Sequence, residues 1–207
     1  MEPKSNHAFN EVTDSLKNVE RNKLLTLLKN PLESLQLTTK EWIYGALGLA
    51  ASFVGYLVWV MILGSKITGL FYNAMPFGKL FAPSSLSFAI FSRMFLLGLL
   101  SLVALLAALW LAGWWRSGVQ PAWKLFVIRM GGIQYITGAG FLLAGILSFH
   151  FTLSMIVLAI TLLSTLALSL QGGLEVSGIS KERTASYLVV SITLYVILAG
   201  VFANLVM

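Results

Sequence analysis

Apolar positions along this chain gather in five long runs, at 42–63, 94–115, 130–149, 151–170 and 187–206, with polar or broken stretches between them. Each run matches the roughly 20 residues that a helix needs to cross the hydrocarbon core of a bilayer. The pattern therefore predicts an all-α fold, a polytopic transmembrane bundle of five helices. Ahead of the first run, Val12, Leu16, Val19, Leu24, Leu27 and Leu28 recur at mostly three- or four-residue steps and predict an N-terminal amphipathic helix. Asn30 and Pro31 should interrupt it, because proline disfavours helical geometry in the residue before it. The organisation is then a tail, 1–41, and a membrane domain, 42–207. Two readings stand for the tail helix: a docking element for a partner, or a surface helix that anchors the first span.

The connections differ in kind. Residues 170–188 read as a polar hinge between the last two spans, with Gly172, Gly173 and Gly178 supplying turn backbone and Lys181 and Arg183 supplying charge. Residues 65–92 are broken by Gly69, Pro76, Gly78 and Pro83 yet carry Phe71, Tyr72, Phe77, Phe81, Phe88 and Phe91, which suit the headgroup boundary; two readings stand, a re-entrant or interfacial hairpin that contacts lipid, substrate or a partner, and an outer loop lying on the membrane. The second helix is expected to start near Leu86 under a Ser84 or Ser85 cap. Residues 123–129 read as an interfacial lead-in to the third span, and His150 marks a tight turn between the third and fourth.

Small residues say where helices meet. Gly48 with Ser52, and Ala51 with Gly55, lie four apart on one face of the first span, and Gly131, Gly132, Gly138, Gly140 and Gly145 mark the third as the central, closely packed helix. Trp42, Tyr44, Trp59, Trp114 and Trp115 suit the interfacial belt. Ser154, Thr161, Ser164, Thr165 and Ser169 place hydroxyls along the fourth span.

Composition agrees with a membrane protein: 57% of the 207 residues are hydrophobic and 11% charged. Of the 14 Lys and Arg, 11 fall in the tail, the second-to-third connection and the hinge, so those segments are expected in the cytoplasm and the C-terminus outside. Basic residues beside anionic lipid account for the net charge of +6 without a nucleic-acid partner. With no cysteine, thiol chemistry and cysteine-held metals are excluded. No Asp or Glu lies inside a span, which counts against an ion-coupled transporter. Two histidines and no catalytic or phosphate-binding motif predict a protein that is not an enzyme and carries no cofactor or metal. The remaining polar candidates, Arg129, Gln134, Glu175, Lys181 and Arg183, form an expected cytoplasmic cluster, for which two readings stand: Arg129 pairs with Glu175, or each is independently solvated at the headgroups.

Three segments carry a family resemblance: LLTLLKNPLESL at 24–35, AWKLFVIRMGGIQYI at 122–136, and LSTLALSLQGGLEVSGISKERTASYLVV at 163–190. Together they resemble the Yip family of small polytopic membrane proteins. Gly131 and Gly132 stand where that family often has proline. The resemblance implies a five-helix bundle with a cytoplasmic N-terminus, and the short tail looks like the bacterial members, which implies the bacterial cytoplasmic membrane. The expected function is non-enzymatic: interaction with membrane lipids, with other membrane proteins or with a second copy. The alternative is a transport component or small-solute channel lined by Gln134, Thr137, Ser164 and Thr165.

Overall fold

In a computed structural model the described residues are 19–74 and 84–206, with side chains described at all of them but 67–74 and 84–90. Every regular element among them is helical: α1 (Arg21–Lys29), α2 (Trp42–Ala74), α3 (Ser84–Ser117), α4 (Trp123–Ile146), α5 (Phe151–Val176) and α6 (Thr184–Val206). Short 3-10 turns at Pro31–Gln36, Thr39–Glu41, Leu147–Phe149 and Lys181–Arg183 join them. Five helices, α2 to α6, are long and apolar enough to cross a membrane. In a bilayer core a helix satisfies its own backbone groups, so an all-helical chain of this apolarity is an integral membrane protein.

The helices alternate in direction. One end of the bundle collects the starts of α2, α4 and α6 with Lys40, Lys124, Arg129, Lys181 and Arg183, and is called here the basic end. Within the bundle, α2 and α4 run parallel and share the most extensive interface, α5 packs antiparallel on α4, and α3 and α6 form a separate antiparallel pair. As the glycine content predicts, α4 is the most buried span; α6 is the least.

The α2–α4 seam explains the glycines. A Cβ on Gly48 would overlap the carbonyl of Gly131, one on Gly131 the carbonyl of Gly45, and one on Gly55 would lie 2.6 Å from the carbonyl oxygen of Gly138. Gly138 in turn faces the backbone of Ala51 and Ser52. Gly132 takes a different neighbour, Ser34 of the Pro31–Gln36 turn. At the basic end Leu105, Leu109 and Ala112 of α3, Phe126, Met130 and Ile133 of α4, Leu170 of α5 and Tyr187 of α6 form one buried core that ties both groups of helices together.

Several boundaries move. The hinge is narrower than 170–188: Gly172 and Gly173 are buried inside α5, where they give room to Ile133 and to Tyr187. Only Gly178 turns the chain, at φ +61°, with Ile179 N–H bonding Leu174 O (3.1 Å) and Gly178 N–H bonding Glu175 O (3.2 Å). That is a Schellman stop, which favours glycine at this position. Residues 123–129 belong to the third span itself. In the stretch expected to be a loop, α2 continues to Ala74 and α3 begins at Ser84, two residues before Leu86; Phe77 and Phe81, with Pro76 and Pro83, lie outside the described residues. So do Val12 and Leu16 of the expected amphipathic helix. Its later part is α1, which ends at Lys29 before Asn30 and Pro31 as expected. Leu27 is buried with Leu37, Ile43, Tyr44 and Ile128, so α1 docks on the chain's own membrane domain.

Candidate functional site

The grouping of α2, α4 and α5 against α3 and α6 leaves a gap. A cavity of about 550 Å³ lies between the two bodies, walled by Phe53, Tyr56 and Trp59 of α2, Leu97, Ser101 and Leu102 of α3, Phe141 of α4, Leu158 and Leu166 of α5 and Tyr195 of α6. This falls within the roughly 300–1,000 Å³ of small-molecule sites. Phe53 meets Phe95 of α3 edge to face, with centroids 5.1 Å apart, and the Tyr56 ring lies against Gly98 of α3 while meeting Phe141 of α4 at 5.5 Å, so aromatic rings stand between α2 and α3. Tyr56 OH donates to Met94 O at 3.0 Å and fastens the two helices toward the end opposite the basic one. Leu162 and Leu163 line the cavity while 49% and 68% exposed, so it opens sideways along α5 to the surface that faces lipid.

The floor is polar. Ser52 Oγ donates to Gln134 Oε1 at 3.5 Å, Gln134 Nε2 donates to Ser169 Oγ at 3.4 Å, and the hydroxyls of Thr137 and Thr165 are 2.7 Å apart. On the facing wall the hydroxyls of Ser101 and Tyr195 are 2.9 Å apart. No charged side chain lines the cavity among the described residues. Below the floor the buried core of Leu105, Leu109, Phe126, Met130 and Ile133 separates the cavity from the basic end.

This arrangement redistributes the residues singled out from sequence. Gly48, Ser52, Gly131 and Gly138 lie in or beside the α2–α4 seam and Gly132 beneath the Pro31–Gln36 turn, so these small residues are used within the chain. Gln134 is 1% exposed on the cavity floor, away from the basic face where the sequence reading put it. Arg129 does not pair with Glu175: its Nε donates to Leu37 O at 3.2 Å, while Glu175 is exposed on α5. Lys181 and Arg183 are exposed, and Arg183 Nη1 donates to Arg116 O at 2.9 Å. The expected cluster is therefore dispersed. Of the expected channel lining, Gln134, Thr137 and Thr165 meet at the cavity and Ser164 does not.

Sequence reasoning missed three contributors. Ser101 and Tyr195 are single polar residues in apolar helices, and only the α3–α6 pairing brings them together. The ion pair of Lys23 with Glu41 clips α1 to the start of α2, with Lys23 Nζ 5.0 Å from the Tyr44 ring centroid; the two charges are 18 residues apart, so no local pattern signals the pair. His150 is exposed at the turn before α5, and among the described residues no group of His, Asp and Glu is placed to hold a metal ion.

Fold and cavity together define an all-α integral membrane protein with a cavity inside its bundle. Comparison with protein-family models, curated proteins and solved structures finds no match.

Proposed function

We propose that this chain is a non-enzymatic, Yip-like membrane protein of the bacterial cytoplasmic membrane, N-terminus inside and C-terminus outside, that acts by taking up and organising lipid. The observation that carries this reading is the laterally open cavity between the two helix bodies, largely apolar on its walls and reachable past Leu162 and Leu163. The glycine faces that would otherwise serve contact with other membrane proteins are occupied by the chain's own helices, which favours lipid over protein as the principal partner. The sealed core beneath the floor speaks against the small-solute channel, since conduction needs a wettable path through both ends.

The test is extraction of the full chain in native membrane discs and quantification of tightly held lipid by mass spectrometry, beside a Leu102→Trp variant that narrows the cavity. The reading expects retained lipid in the parent and less than about a third of it in the variant. Equal retention in both would contradict it.

A further inference from the structure

Deepening the reading above and resting on it, we infer that the cavity is a site for an uncharged amphiphile whose hydrogen-bonding head, a ring bearing carbonyl or hydroxyl groups, is held inside the hydrocarbon core by Gln134. Depth is the first argument. Gln134 lies about 7.5 Å past Arg129 of the basic end and about 18 Å before Ile146 at 1.5 Å per residue, inside the apolar part of the span. A phospholipid in its ordinary orientation brings only its acyl chains to that level, because its head stays at the surface of a core about 30 Å thick. A polar floor there has nothing to match in such a lipid.

The second argument is charge. The walls and floor hold hydroxyls, one amide and aromatic rings but no ionisable cation or carboxylate among the described residues. A phosphate, carboxylate or ammonium head would be buried without a counter-charge, at a cost that neutral heads avoid.

The third is unused bonding capacity. The Gln134 amide has two N–H donors and two acceptor lone pairs, and the structure engages one of each kind, at 3.4 and 3.5 Å, near the outer limit of a hydrogen bond. In hydrocarbon no water completes the set, so the spare donor and acceptor favour a head that offers carbonyl or hydroxyl oxygen. Above the amide, Phe53, Tyr56, Trp59 and Phe141 give a ring-lined slot for a flat head, and Leu162 and Leu163 line the way out for an aliphatic tail. Quinones with alkyl or isoprenoid tails have this chemistry.

The test uses the full chain in lipid discs and three probes: decyl-benzoquinone, decylbenzene, which keeps ring and tail but lacks the oxygens, and phosphatidylglycerol. Binding is read by native mass spectrometry and by the shift of the unfolding midpoint. The inference expects one quinone per chain, bound about tenfold more weakly by Gln134→Leu, the worth of one hydrogen bond, with decylbenzene affected less than twofold. Should Gln134→Leu fail to fold, Thr137→Val takes its place with an expected loss of about threefold. Quinone binding unchanged in a folded Gln134→Leu chain, or equal affinity for decylbenzene, overturns the inference. Retention of phosphatidylglycerol alone overturns it too but leaves the lipid reading standing, whereas a cavity that takes up none of the three defeats both.

Discussion

On one side of α2, Gly45, Gly48 and Gly55 bring its backbone against that of α4; on another, Phe53 and Tyr56 set rings between it and α3. The seam is dry and leaves no room for a methyl group, while the cleft encloses about 550 Å³. Both contacts are largely apolar, each crossed by few hydrogen bonds, and both join long membrane helices. What separates them is side-chain size at a few positions. Without a hydrophobic force between helices in lipid, close approach depends on packing, so glycines define a tightly packed seam and rings define a gap.

Adding bulk to each side breaks or sharpens that contrast. The largest effect is expected for Gly131→Leu, whose side chain would run into the Gly45 carbonyl and cannot be accommodated by moving a flexible neighbour. We expect a loss of about 3 kcal/mol or more, the upper range for overpacking, read as the midpoint of reversible unfolding in mixed micelles. A change under about 1 kcal/mol would mean that α2 and α4 are not held backbone to backbone. Leu102→Trp adds bulk at the cleft and is expected to change stability by less than about 1 kcal/mol, since its ring has space to fill. If it costs as much as the glycine change, the cleft is packed like the seam. The smallest effect belongs to the tail clip: Lys23→Ala removes a pair whose side chains are 34% and 30% exposed, which is worth about 0.2–1 kcal/mol at most. Its readout is faster proteolysis between α1 and α2, with the difference from the parent narrowing at high salt.

The contrast also shows what a sequence of this kind makes legible. Five spans and the identity of α4 as the central helix were readable, because apolar run length and glycine spacing are local properties. The partner of each small-residue face was not. Gly48 points to close approach by some helix, and only the assembled bundle says that this is α4, in parallel, rather than α3, the next in sequence. Gln134 was grouped with Arg129 because five residues separate them, yet that is about 7.5 Å of depth along a helix, enough to leave the basic face for the interior. Ser164 and Thr165 are adjacent in sequence but about 100° apart around the helix, so only Thr165 reaches the cavity. Gly172 and Gly173 looked like turn residues and are packing residues, a distinction that composition does not carry. The cavity itself could not be read from the chain, because it depends on which helices fail to touch.

A single spin label at position 102 tests the central claim, that the cleft is filled by lipid, most directly. The chain has no cysteine, so Leu102→Cys provides a unique attachment point. In reconstituted vesicles its collision rates with oxygen, which concentrates in hydrocarbon, and with a water-soluble nickel chelate report what surrounds it. The account predicts high oxygen and low nickel accessibility. Low values for both would mean a dry, closed bundle, and high nickel accessibility would mean a water-filled path; either result contradicts a lipid-filled cleft.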